Sequence, residues 1–180
     1  MKTLRCLAVV LGILFPFQAS QAGDKDIPKL QAQAEPSLAA FKKADSTLAP
    51  LLAEAAGYAL FPNVGKGGFV LGGAHGSGLV YEKGGRLVGS AKMSQFSVGA
   101  QIGGQAFAEL ILFETVEALN RFKESRFEMG ANLSAVAAAE GQAKAAKYNE
   151  GILVMTRPIK GLMAEASVGG QKFSFDPLDK

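Results

Sequence analysis

The side chains in this sequence best suited to chemistry are a few cations close to glycines. Lys66 lies in the segment NVGKGG with glycine on both sides. Exposed N–H groups of such glycines can form a small anion-binding nest, whereas the alternative is a solvated lysine in a turn. Spacing alone favours the solvated lysine, and Lys66 is kept as a candidate for an anion contact. Arg86 and Lys92 would join it if the basic residues converge on one surface.

Glycine is concentrated in one part of the chain. Ten of the 22 glycines fall within the 29 residues from Gly57 to Gly85, with apolar residues between them. Glycine loses much entropy on folding, so such a run indicates positive φ angles or close backbone approach, here in loops that bracket short strands. The spacing matches neither of the common nucleotide-binding glycine motifs. The glycine-rich signature loop comprises Gly65, Gly67, Gly68, Gly72, Gly73, Gly76 and Gly78.

The residue types needed for catalysis or metal binding are scarce. The single histidine, His75, lies among glycines, where the sequence favours a turn residue over a catalytic base. Zinc sites, calcium loops and serine-hydrolase motifs do not assemble from the residues available. Glu109, Glu114 and Glu165 are interpreted as surface or salt-bridged strand residues. We therefore expect a protein that is not an enzyme and that needs no cofactor or metal.

Residues 1–22 have the pattern of a secretory signal peptide. Lys2 and Arg5 precede an apolar stretch of ordinary signal length, and small residues lead to Ala22. Cleavage near Ala22/Gly23 would release the protein to the periplasm or the exterior. Because the only cysteine, Cys6, precedes the apolar stretch, we do not expect a lipoprotein.

The charge of the mature chain is small. The chain has 19 basic and 16 acidic residues, and loss of the two basic residues in the signal leaves a net charge of +1. Nucleic-acid binding normally needs a denser cationic surface, so we exclude nucleic acid as a partner. No later apolar run approaches the roughly 20 residues that a membrane helix needs.

The elements that must position these residues begin with helices. Residues 24–43 are rich in alanine, and Pro36 breaks their apolar pattern, which predicts a loosely held first helix. A second helix should begin at Asp45 or Ser46 and end with Gly57 at the C′ position. Thr115 should cap a third helix whose inward residues include Val116.

The remaining chain reads mainly as strands. Residues 95–102 and 162–169 alternate between apolar and polar, as half-buried strands do. Residues 107–113, FAELILF, are apolar on nearly both faces and predict a central strand. Further strands are expected at 127–137, 152–155 and 172–175. The fold class is therefore α+β, with short N-terminal helices on a glycine-rich, curved antiparallel sheet and one further helix. The sheet is either open or closed like a barrel.

Four ordered blocks of sequence resemble the SYLF domain, which occurs in eukaryotic endocytic and actin-regulating proteins and in many secreted bacterial proteins. The resemblance covers residues 48–177 and leaves 23–47 as a partly flexible helical segment before a SYLF-like domain at 48–180. The blocks are AEAAGYALFPNVGKGG from Ala53, GGAHGSGLVY from Gly72, SVGAQIGGQAFAELILF from Ser97 and GLMAEASVGGQKFSF from Gly161.

The resemblance implies a compact α+β domain and a general capacity for lipid binding. Eukaryotic members bind phosphoinositide membranes, partly through basic residues and an amphipathic N-terminal helix, and some bind actin. The signal peptide removes this chain from cytoplasmic actin and phosphatidylinositol lipids, and its N-terminal segment is a poor membrane-inserting helix. Lys66 matches the family's glycine-flanked lysine.

Two functions from different classes follow. The first is a peripheral protein of the cell envelope that binds anionic phospholipid headgroups through Lys66, Arg86 and Lys92. The alternative is a structural or interaction module that contacts another envelope protein, with lipid binding incidental. An enzyme ranks below both.

Overall fold

A computed structural model of the protein describes residues 27–68, 71–98, 105–125, 135–160 and 170–178. The expected signal peptide and the strands predicted at 127–134 and 162–169 lie outside these ranges. The helices are α1 (Ile27–Ala44), α2 (Leu48–Glu54), α3 (Val116–Lys123) and α4 (Gln142–Ala145). The strands are β1 (Gly57–Gly68), β2 (Leu71–Glu82), β3 (Arg86–Val98), β4 (Gln105–Phe113), β5 (Val136–Ala137), β6 (Ile152–Lys160) and β7 (Gln171–Pro177).

The strands form one sheet with the order β5-β6-β4-β1-β2-β3-β7. Neighbours are antiparallel except for β5 and β6, which pair in parallel. The predicted α+β class is therefore confirmed, although a purely antiparallel sheet was wrong and the helices are not all N-terminal. Among the described strands β5 and β7 are edges, so the sheet is not closed into a barrel.

The sheet is nevertheless strongly curved, because residues from distant strands meet inside it. Four inter-strand steps separate β4 from β7, which would be about 19 Å in a flat sheet. Yet Gln171 Nε2 on β7 donates a hydrogen bond to Glu109 Oε2 on β4 at 2.9 Å. The rings of Phe61 and Phe173, three strands apart, have centroids only 5.6 Å apart. The curvature expected from the glycine content is confirmed.

Two apolar clusters cover the two faces of this curved sheet. The inner cluster lies on the concave face and is completed by the buried face of α3, including Leu119 and Phe122. The outer cluster lies on the opposite face, where Phe41 of α1 and Leu48 of α2 pack on Leu60 and its neighbours. Burying large side chains on both faces gives the sheet its hydrophobic stabilisation.

Helix α1 is one helix of 18 residues rather than a short, interrupted one. Proline normally breaks a helix because it removes an N–H and crowds the carbonyl four residues earlier. Here Pro36 and Ala32, which supplies that carbonyl, are both exposed, so water can solvate the carbonyl. Ala34 and Phe41 on the opposite side are buried against the sheet. The helix thus continues through Pro36, contrary to the sequence prediction.

Helix α2 begins and ends differently from the prediction. Thr47 is its N-cap residue and makes no side-chain cap bond. The Asp45 carboxylate instead accepts hydrogen bonds from the Thr47 N–H at 3.0 Å and from the distant Ala143 N–H at 2.6 Å. The helix ends at Glu54 with Ala55 as its C-cap residue, and Gly57 already begins β1. Asp45 therefore joins the helix pair to α4 rather than capping α2.

The glycine-rich run is a long β-hairpin instead of a set of loops. Strands β1 and β2 pair from Gly57↔Glu82 to Gly68↔Gly72, and His75 lies within β2 opposite Gly65. The loop and the histidine turn predicted there were wrong. Among the described residues of the run, Gly84 and Gly85 have φ angles of 81° and 79°, which suit glycine.

Several local predictions are confirmed. Thr115 caps α3 by accepting a hydrogen bond from the Ala118 N–H at 3.2 Å. Strand β4 is paired on both sides and buried from Phe107 to Phe113. Strands β6 and β7 include the predicted segments and extend beyond them.

The prediction that Val116 faces inward was wrong. Its side chain is 57% exposed because residues 118, 119 and 122 form the buried stripe of α3.

Candidate functional site

The outer face of β2, β3 and β7 carries two rows of polar side chains. Antiparallel pairing sets Ser77 opposite Lys92, and Lys92 opposite Ser174. Alternate residues of a strand share a face, so a second polar row lies next to the first on the same side of the sheet. It joins His75, Ser94 and Lys172.

These rows form one wall of a groove of about 780 Å³. The first turns of α1 form the facing wall, with Ile27 and Leu30 as its partly buried apolar members and Lys29 as its cation. The groove is thus polar on the sheet side and mixed on the helix side. A ligand with both an anionic and an apolar part would match the two walls.

The groove has a positive electrostatic character. Lys29, Lys92 and Lys172 line it, and within the described part of the chain no aspartate or glutamate does. Hydroxyl groups of Ser77, Ser94 and Ser174 add neutral donors beside the ammonium groups. Ammonium and hydroxyl donors together suit a phosphate or carboxylate group. We call this set of residues the lysine groove.

Of the three predicted contacts, Lys92 lies in the lysine groove. Arg86 lies six residues away at the start of β3, about 20 Å along the strand. Its guanidinium pairs with Glu82, whose other oxygen accepts a hydrogen bond from Lys123 at 2.7 Å. That hydrogen bond and the two nearby cations lower the pKa of the Glu82 carboxyl, although burial opposes the shift. Arg86 is therefore part of an ion-pair network away from the groove.

Lys66 lies within β1, and its backbone is paired on both sides. Its partners are Ala74 on β2 and Gln105 on β4. A backbone nest needs successive N–H groups that point to one side, whereas strand N–H groups alternate between the two neighbours. The proposed nest around Lys66 is therefore wrong.

The signature glycines differ in how closely other parts of the hairpin approach them. A Cβ on Gly78 would lie 2.5 Å from the Leu60 carbonyl oxygen, and one on Gly76 would lie 2.8 Å from Val64 Cγ2. These positions require close approach of chain segments. A Cβ on Gly65 would meet nothing within 4 Å. Gly67, Gly68, Gly72 and Gly73 complete the end of the hairpin.

Sequence reasoning found Lys92 but missed the residues that surround it. Lys172 and the three serines lie on strands whose pairing cannot be read from a single sequence. The available signal was the alternation of small polar and basic residues in SAKMS (90–94) and KFS (172–174). Joining these segments required the β3–β7 register.

Two further features of the described residues bear on the kind of site. The described residues contain no group of three or more side chains suited to hold a metal ion. No helix in the described ranges combines the length and apolar character needed to cross a membrane.

Comparison with known proteins gives a family match and a relative. The profile of the family described as Ysc84, Las17-binding protein actin regulator, matches residues 94–177. Beta cell expansion factor A of Aeromonas veronii is 32% identical over 85 residues, which cover 47% of this chain and 33% of that protein. The chain thus matches about a third of the length of this relative. Lys92 lies two residues before the matched profile begins, and Lys172 lies within it.

Proposed function

We propose that the protein binds anionic phospholipid headgroups at a membrane surface, in keeping with the match of residues 94–177 to the profile of the Ysc84 family. The lysine groove is the observation that supports the proposal most directly. Its ammonium and hydroxyl groups offer several donors to one phosphate, and Ile27 and Leu30 offer an apolar surface to the adjoining acyl region. We place this binding outside the cytoplasm, in keeping with the signal-like residues 1–22.

The two lysines on the sheet are arranged for joint contact. Lys92 and Lys172 occupy adjacent rows of neighbouring strands, each directly opposite a serine. Diagonal neighbours of this kind lie about 7–8 Å apart at their backbones, so two long side chains can reach one phosphate. Each cation near an anionic surface contributes about 1 kcal/mol.

Vesicle flotation of the whole protein tests the proposal. Phosphatidylcholine vesicles with and without phosphatidylglycerol are compared for wild type and for the double variant Lys92→Ala/Lys172→Ala. Loss of two cations should weaken binding to the anionic vesicles roughly thirtyfold, and added salt should weaken wild-type binding. Arg86→Ala is the matched control, since Arg86 lies at the start of β3 away from the groove, and it should bind within about twofold of wild type.

Equal flotation with neutral and anionic vesicles, insensitive to salt, would overturn the proposal. A large loss in Lys66→Ala with none in the double variant would assign binding to the end of the hairpin instead. Crosslinking in intact cells distinguishes the alternative of a protein partner. A single dominant protein adduct, with no phospholipid in native mass spectra, would favour that alternative.

A further inference from the structure

A carboxyl group lies on the inner face of the curved sheet, away from the lysine groove. Glu109 is in the middle of β4 and is fully buried. The sequence favoured a surface or salt-bridged carboxylate at this position, and the structure shows that this was wrong. Its cross-strand neighbours are Phe61 on β1 and Thr156 on β6, neither of which carries a charge.

Glu109 has one hydrogen-bond partner in the described part of the chain. Gln171 Nε2 donates to Glu109 Oε2 at 2.9 Å. The second oxygen of each side chain, Glu109 Oε1 and Gln171 Oε1, is buried and has no partner there. Buried polar atoms without partners are costly. Because the two oxygens belong to side chains that already share a hydrogen bond, we look for one cause of both missing partners.

A single proton satisfies both atoms. A carboxylic acid and a primary carboxamide can form a ring of two hydrogen bonds, in which each group donates once and accepts once. The bond from Gln171 to Glu109 Oε2 is one half of this ring. A proton on Glu109 Oε1, donated to Gln171 Oε1, would complete it.

We propose that Glu109 is protonated in the folded protein and forms a two-point acid–amide pair with Gln171, so that loss of this proton loosens edge strand β7 from the inside of the sheet. The pair would then be a polar contact that connects β7 to β4 across the interior of the sheet. Edge strands are otherwise held by one neighbour, and β7 pairs in the described sheet with β3 alone. The inference is independent of lipid binding.

The surroundings of Glu109 favour the neutral acid. Around the pair, β1 contributes Phe61 and Val64, β6 contributes Thr156, β7 contributes Phe173, and β3 contributes Gln95 opposite Gln171. None of these side chains titrates or carries a charge. Burial raises the pKa of Glu109 to about 7, against the opposing effect of the hydrogen bond from Gln171.

Urea unfolding of the whole protein between pH 5 and 8.5 tests the proposal, with wild type compared with Glu109→Gln. Folded Glu109 keeps its proton up to about pH 7, whereas an unfolded glutamate loses it at the ordinary value of 4.5. The folded state therefore binds more protons in this window, and stability falls as pH rises through it. The unfolding equilibrium constant should rise by up to tenfold per pH unit below pH 7 and by about 75-fold in all from pH 5 to 8.5.

Glutamine is the informative substitution because it reproduces the neutral acid. Its amide can donate to Gln171 Oε1 and accept from Gln171 Nε2, so both bonds of the pair persist without a titrating group. Glu109→Gln should therefore lose the pH dependence between pH 5 and 8 and keep the acid-side stability. The matched control is Glu117→Gln at an exposed position of α3, which should keep the wild-type pH dependence.

An infrared measurement keeps the proposal testable if Glu109→Gln does not fold. Wild type should show the carbonyl band of a buried protonated carboxyl at pH 6, and this band should disappear as the pH is raised above 8. Gln171→Met, which removes the amide at similar size, should shift that band. Absence of the band at pH 6, or wild-type stability that follows the pH dependence of Glu109→Gln, would overturn the proposal.

Discussion

At the scale of single residues, Asp45 shows how one side chain can join distant parts of the chain. Its carboxylate accepts hydrogen bonds from the Thr47 N–H and hydroxyl and from the N–H groups of Gly141 and Ala143. Burial alone would raise the pKa of Asp45, but these hydrogen bonds outweigh it and hold the pKa below 3.8. The ionised form is therefore the one that connects the N-terminal helices to α4.

We expect Asp45→Ala to destabilise the protein by about 3 kcal/mol, because it leaves several backbone N–H groups without an acceptor. Urea denaturation at pH 7 measures the loss. Since the folded-state pKa is lowered, the contribution of Asp45 is present above pH 3.8 and is lost as pH falls through the folded-state value.

The control for Asp45 is the neighbouring exposed carboxylate. Glu140 accepts hydrogen bonds from the backbone and hydroxyl of Ser46, and both residues are exposed. Glu140→Ala should cost less than about 1 kcal/mol, as exposed polar contacts usually do. A loss in Asp45→Ala no larger than that in Glu140→Ala would contradict the role given to Asp45.

At the scale of elements, the β1–β2 hairpin separates two uses of glycine that look identical in the sequence. A methyl group on Gly78 would meet both the Leu60 carbonyl oxygen and the Phe61 ring, the latter at 2.7 Å. Gly78→Ala should therefore destabilise the protein by about 2–3 kcal/mol, as thermal and urea unfolding can measure.

Gly65 in the same hairpin is the matched comparison. It lacks a positive φ angle, and its methyl group would enter open space. Gly65→Ala should change stability by less than about 1 kcal/mol, because it mainly lowers the entropy of the unfolded chain. Equal effects of the two substitutions would show that close packing does not explain these glycines.

At the scale of the whole molecule, the order of the strands in the sheet differs from their order in the sequence. The matched family segment, 94–177, contains β4, β5, β6 and β7 but only the end of β3. In the sheet, β1 and β2 lie between β4 and β3. A fragment limited to 94–177 would thus lack the middle of the sheet and leave β7 without most of its only described strand neighbour.

We therefore predict that the 94–177 fragment has no cooperative thermal unfolding transition. Circular dichroism and proton NMR dispersion measure this directly, with residues 27–178 as the control fragment. A sharp transition and a dispersed spectrum for 94–177 would show that the matched segment folds without the hairpin.

The difference between strand order in the sequence and strand order in the sheet also explains which features the sequence could predict. The cap at Thr115 and the buried strand FAELILF depend on neighbours in sequence, and both were predicted correctly. The grouping of Lys92 with Lys172 depends on strand register, and the burial of Glu109 depends on the curvature of the whole sheet. Pro36 was misjudged because its effect depends on which side of α1 faces solvent.

Strand β7 belongs to both surfaces described above. Gln171 and Phe173 face the interior, while Lys172 and Ser174 line the groove. Because side chains alternate with a period of two, a slip of β7 by one residue relative to β3 would exchange the two sets. Lys172 would then enter the apolar interior, and Phe173 would face the groove. The core and the lysine groove therefore both depend on the same register between β7 and β3.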